Sequence, residues 1–179
     1  MKRLLSTMLA TALLTLPTTL PGLHAADAPG PDDHLAPVAR FIGEWQVEGK
    51  WSDGTPLKAR ATYTWGVNKK IIVTKTFVQD PAKGEYQRYE GIIAWNPKKK
   101  SLYEISFAYD GNITEVLMDL VDKDTLNLGY RPFNEGETAT VRQILHFNGD
   151  DAFVWTVSVK PKDQDWTKLI EATWHRKNK

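Results

Sequence analysis

The feature that most constrains this chain is a period of two. Leu57, Ala59, Ala61, Tyr63 and Trp65 alternate with Lys58, Arg60, Thr62 and Thr64, a repeat that gives a strand two unlike faces and gives a helix none. Comparable β-rich runs occupy residues 44–51, 70–79, 86–95, 101–109, 125–130, 138–147, 152–160 and 166–176. Between them stand Asp53-Gly54, Asn68-Lys69, Asn96-Pro97, Asp110-Gly111, Asp122-Lys123-Asp124 and Asn148-Gly149, residue types that supply φ > 0 or pre-set a turn. The segment holding Ile113, Val116, Leu117 and Leu120 also fits a helical stripe. Gly111 and Asp122 bracket it at strand length, and it is read as a strand.

About ten strands joined by short turns form a meander, and a meander leaves two unpaired edges unless it closes on itself. The expected fold is therefore all-β, an antiparallel up-and-down barrel of about ten strands. Barrels of this size have an interior able to hold one small ligand. One or two helical turns are expected before the first strand, where Asp32-Asp33 precede Leu35, Val38 and Phe41. The segment 166–176 alternates and ends in β-branched and aromatic residues, which argues against a long C-terminal helix.

Residues 1–25 read as an export signal. Lys2 and Arg3 precede an apolar run ending at Leu16, Pro17 and Pro21 interrupt it, and Leu23-His24-Ala25 offers a small residue for cleavage. The run is too short to span a bilayer. Residues 26–179 are expected to form one exported domain, periplasmic or secreted. Loss of Lys2 and Arg3 turns the chain's balance of 23 basic and 22 acidic residues into a net charge of −1, which offers nothing to a polyanion. Lys98-Lys99-Lys100 sits in a Pro-led turn and reads as a solvated hairpin tip. The chain has no Cys, so disulfides, thiol nucleophiles and thiolate metal sites are excluded.

Two sets of residues carry a resemblance. Phe41-Ile42-Gly43-Glu44-Trp45, after a short helical turn, resembles the Gly-x-Trp at the closed end of calycin (lipocalin-like) barrels. The resemblance implies structural roles for Gly43 and Trp45, with Arg176 in the last strand packing over the Trp. Gly49-Lys50-Trp51-Ser52-Asp53-Gly54-Thr55-Pro56, Tyr63-Thr64-Trp65 and Tyr89-Glu90-Gly91-Ile92-Ile93-Ala94-Trp95-Asn96-Pro97 resemble a bacterial exported lipocalin-like domain family of unknown function, over roughly the first half of the mature chain. That likeness implies fold and export and supplies no catalytic residue. The distantly similar nitrobindins bind haem through a last-strand His. Aligning Ile170, Ala172, Trp174 and Arg176 with their pattern puts Leu169 where that His belongs, so His175 is read as a solvent-facing residue.

No other chemistry stands out. His34, His146 and His175 lie far apart, without metal-ligand spacing, and no nucleophile elbow, phosphate loop or dinucleotide fingerprint occurs. No metal or cofactor is expected. Asn112-Ile113-Thr114 fits a glycosylation acceptor only formally. Glu48, Glu90, Glu104, Glu115 and Glu171 lie inside strands and are read as outward partners of Lys and Arg. One facing inward against an apolar wall would be a general base or ligand anchor. The expected pocket lining is Ala59, Ala61 and Tyr63; Tyr103, Ile105 and Phe107; Phe153, Trp155 and Val157, small residues for room and aromatics for walls. The same residues could instead pack a solid core. The reading is an exported protein holding a small, mostly apolar ligand, favoured over an enzyme. The alternatives are an enzyme using general acid–base chemistry in the same cavity, for which a buried Glu of raised pKa facing a Tyr would speak, and a ligand-free interaction or stress module, for which a filled core and an exposed aromatic patch would speak.

Overall fold

The structure is a computed structural model that describes residues 33–130 and 139–177. The export signal read over residues 1–25 lies outside the described residues. Ten strands, β1 (Gly43–Lys50), β2 (Pro56–Gly66), β3 (Ile71–Asp80), β4 (Gly84–Asn96), β5 (Ser101–Ala108), β6 (Ile113–Leu120), β7 (Thr125–Tyr130), β8 (Ala139–Phe147), β9 (Ala152–Pro161) and β10 (Thr167–Arg176), pair antiparallel in chain order. β1 then pairs with β10 and closes the barrel. The ambiguous segment is a strand, β6, because its backbone groups find partners on both neighbours, β5 and β7. The architecture is lipocalin-like. Among the described residues no helix is long and apolar enough to cross a membrane.

The turns after Asp53, Asp80, Asn96, Asp110 and Asp122 share one device. In each, the side-chain oxygen accepts a hydrogen bond from the backbone N–H two residues on, at 2.8 to 3.2 Å, the Asx-turn chemistry that makes Asn and Asp turn residues.

A 3₁₀ helix, Asp33–Phe41, plugs one end of the barrel. Its buried residues Leu35, Val38 and Phe41 are three apart, the spacing at which side chains eclipse in a three-residue turn, so one narrow face enters the core. Arg40 pins the plug by an ion pair to Asp124 at 3.0 Å and by lying 4.4 Å from the ring centre of Phe147.

At this plugged end Trp45 is fully buried and its indole N–H donates to the Phe41 carbonyl at 2.7 Å. The Arg176 guanidinium lies 4.4 Å over the indole. It donates to the carbonyls of Ile42, Arg40 and Asp150 at 2.7 to 2.9 Å and reaches Asp151 at 3.1 Å. Gly43 has φ +132°, and a Cβ there would fall 2.7 Å from the Arg176 Nη1. The glycine thus supplies both the backbone angle and the space for the arginine fork.

Candidate ligand site

Inward-facing residues of all ten strands do not fill the barrel. Among the described residues a cavity of about 600 Å³ remains between the plug and the opposite end of the barrel, a volume in the range of small-molecule sites. Phe41 of the plug, stacked on Tyr63 at 5.0 Å, forms part of its floor. One wall is aromatic: Trp51 meets Trp155 edge-on at 6.0 Å, and Trp155 meets Trp174 at 6.3 Å. The Trp155 indole N–H is satisfied inside the barrel by the Gln143 side-chain carbonyl at 2.6 Å.

The opposite wall, from β2 to β6, is polar. Pairing aligns Tyr63, Thr74, Gly91, Ser106 and Thr114 in one row across five strands. Their side chains line the cavity, except at Gly91, where β4 has none to offer. A Cβ at Gly91 would lie 2.5 Å from the Ile105 carbonyl oxygen, so only glycine admits β5 this close. The next row toward the plug reads Trp65, Ile72, Ile93, Glu104 and Val116. Glu104 is therefore a carboxyl set between Ile93 and Val116, facing the cavity.

No described residue donates a hydrogen bond to the Glu104 carboxyl or forms an ion pair with it. Burial in this setting disfavours the charged form and pushes its pKa up to about 7. The Tyr63 phenol is also raised, by burial first and by the charge of Glu104 second, and stays neutral at physiological pH.

Toward the mouth, the β3–β4 ladder shifts register between Thr76 and Phe77, leaving Arg88 as the extra residue of a bulge. The bulge brings Arg88, as well as Tyr86 and Tyr89, to the rim. The Arg88 guanidinium sits 4.4 Å from the Tyr109 ring centre and 5.4 Å from that of Tyr89.

Of the residues expected to line a pocket, Ala59, Tyr63, Phe153, Trp155 and Val157 are brought together around the cavity. Ala61 is on the same face of β2 but buried in the packed core. Tyr103, Ile105 and Phe107 are a correction. They pair with Ala94, Ile92 and Glu90 on the outer face, where Phe107 is 48% exposed. The inward face of β5 instead carries Leu102, Glu104 and Ser106. Of the five strand glutamates, Glu48, Glu90, Glu115 and Glu171 are exposed and have lysines within 4.0 Å, namely Lys58, Lys75, Lys99 and Lys168. Glu104 departs from that expectation. Thr74, Ser106, Thr114 and Gln143 line the cavity outside the expected set, while Glu104 was among the five strand glutamates read as outward and no local signal singled it out.

Outside the barrel, Phe107, Ile113 and Leu117 belong to an exposed apolar band on β5 and β6. His175 is exposed beside the closing seam, and His34 stacks on Trp95 at 4.1 Å. Among the described residues no three His, Asp or Glu side chains gather where they could hold a metal.

No protein-family model and no curated protein matches the chain. Among solved structures it is similar to Rv2717c from M. tuberculosis, with a TM-score of 0.56 and 11% identity over 83% of this chain and 100% of that one. It is also similar to the S-type phycobiliprotein lyase CPES from Guillardia theta, with a TM-score of 0.51 and 10% identity over 78% of this chain and 89% of that one. At these identities the likeness establishes the fold.

Proposed function

We propose that this protein binds one small, mostly apolar molecule inside the barrel, and that it does so as an exported member of the lipocalin-like family that its first half resembles. The observation that carries the reading is the unfilled cavity of about 600 Å³, with an aromatic wall facing a hydroxyl-bearing one. Protein interiors pack without voids much larger than a water molecule, so a space of this size in a small domain has a use. The structural neighbour from Guillardia theta is a phycobiliprotein lyase, in keeping with a barrel of this kind receiving a small organic molecule. The same space weighs against the ligand-free interaction module, which calls for a solid core.

The test is titration with the neutral apolar probe N-phenyl-1-naphthylamine, followed by quenching of tryptophan emission. Saturation at one probe per chain is expected. Ala59→Phe, which places a ring in the cavity, should weaken binding about tenfold or more while the protein stays folded. Absence of saturable binding would reject the reading.

A second reading, acid–base catalysis in the same cavity, draws support from Glu104 and Tyr63, a carboxyl titrating near neutrality beside a neutral phenol. Incubation in D₂O with a native lipid and metabolite extract tests it. Deuterium entering a carbon position of a small molecule with wild type but not with Glu104→Gln would favour catalysis; no Glu104-dependent exchange would count against it.

A further inference from the structure

The cavity's polar groups say more about the ligand than its volume does. Glu104 and the hydroxyls of Thr74, Ser106 and Thr114 have no side-chain hydrogen-bond or ion-pair partner among the described residues, although the barrel satisfies Trp155 through Gln143. Glu104, Ser106 and Thr114 are only partly buried and Thr74 is buried, so what enters the cavity, water or a ligand, must supply their hydrogen-bond partners, and a carboxylate needs them more than a hydroxyl. These four lie on adjacent rows of one wall and face the same space. The ionised carboxylate only accepts and the three hydroxyls can accept as well as donate, so a ligand with several donors can serve all four at once.

We infer that the ligand is an amine with an apolar body, its ammonium group seated at the floor against the Glu104 carboxylate and the hydroxyls of Thr74, Ser106 and Thr114. This deepens the ligand-binding reading and rests on it. A ketone or alcohol would be served by the hydroxyl row alone and would leave Glu104 unexplained. A carboxylate ligand would meet Glu104 with like charge and find no cation on the floor among the described residues. Lys58 is paired with Glu48 at 2.6 Å, and Arg88 stays with the tyrosines at the mouth. An ammonium has three N–H groups and a positive charge, so it turns the isolated carboxylate into a hydrogen-bonded pair and leaves donors for the hydroxyl oxygens. Its apolar body then runs along Trp155 and Val157 toward the mouth.

The site also dictates a proton linkage. Glu104 is flanked by Ile93 and Val116, and Tyr63 from β2 is the titratable group interacting with it. The other titratable groups lining the cavity, Lys58, Asp80, Tyr86, Arg88, Tyr89 and Tyr130, belong to its mouth end. An ammonium favours ionised Glu104, so binding near neutral pH releases a proton, and affinity for amines falls as acid protonates the free site.

The experiment compares n-decylamine, n-decanol and n-decanoate, each below its micelle or solubility limit, by calorimetry at pH 5.5 and pH 8.5 on the mature protein and on Glu104→Gln. At pH 8.5 the amine is expected to bind wild type about tenfold or more tighter than the alcohol, with decanoate weakest. The preference should shrink at pH 5.5 and vanish in Glu104→Gln, whose circular dichroism spectrum, unchanged from wild type, would show that its barrel is intact. Amine and alcohol binding equally to wild type, or an amine preference that survives in Glu104→Gln, would overturn the inference while leaving the cavity reading in place. Failure of all three probes to bind either protein would overturn both.

Discussion

A carboxyl group that titrates near neutrality inside a barrel is a stability liability as well as a binding group. Glu104 is held at about pKa 7 against an ordinary value of 4.5, so between those values the folded protein binds more protons than the unfolded chain and stability falls as pH rises. Its full contribution is present below about pH 4.5 and is lost as pH climbs through 7. At pH 8 the ionised group costs roughly 3 kcal/mol. Glu104→Gln should therefore be more stable than wild type at pH 8 by up to about that amount and nearly equal to it at pH 4.5, measured by urea denaturation at both values. A gap that does not change with pH would contradict this. Arg176 works in the opposite sense, its fork holding the carbonyls of Arg40, Ile42 and Asp150 while covering Trp45. A lysine cannot reach all three from one planar group. Arg176→Lys is expected to cost about 1–3 kcal/mol in the same assay, and an unchanged midpoint would remove the fork from the account. The Gly-x-Trp and its terminal Arg were legible in the sequence. Glu104's direction was not, because five glutamates lie within strands and nothing local distinguishes the inward one.

At the scale of elements, turn chemistry made the strands readable, since each Asp or Asn that accepts from the backbone two residues on also ends a run of alternation. Facing was readable only where one parity was polar. β2 met that condition. β5 did not: Tyr103, Ile105 and Phe107 make the more apolar parity, yet Leu102, Glu104 and Ser106 point inward because β4 and β6 fix their register. A strand whose outer face is greasy and whose inner face carries an acid reverses the usual pattern, and here the reversal marks the polar wall of a cavity. Gly91 belongs to that wall. Gly91→Ala would set a methyl 2.5 Å from the Ile105 carbonyl oxygen, a backbone atom that cannot swing aside, and should cost about 1–3 kcal/mol in thermal or urea unfolding. A neutral outcome would mean that β4 and β5 can part without penalty. The bulge at Arg88 was not legible, as an extra residue in a ladder leaves no trace in composition.

On the whole-molecule scale the barrel is closed by its shortest ladder. β1 and β10 exchange register over only two residue pairs, Trp45 with Arg176 and Gln46 with His175, and meet again through a bond from the Ser52 N–H to the Leu169 carbonyl at 2.7 Å. Hydrogen exchange should find the stretch of β1 beyond Gln46 less protected than β3 and β4, which share ten pairs. Equal protection would show that the seam is no weaker than the rest. Closure followed from the argument against open edges, whereas the size of the cavity depends on how ten strands share space and could not be read from any one of them. The central claim is that this space holds a small, mostly apolar molecule. Its most direct test is native mass spectrometry of the protein isolated gently from its native cells. A reproducible adduct of one small molecule per chain is expected, on a protein cut after Ala25. A protein that arrives empty, and stays empty when offered a native lipid and metabolite extract, would contradict the claim.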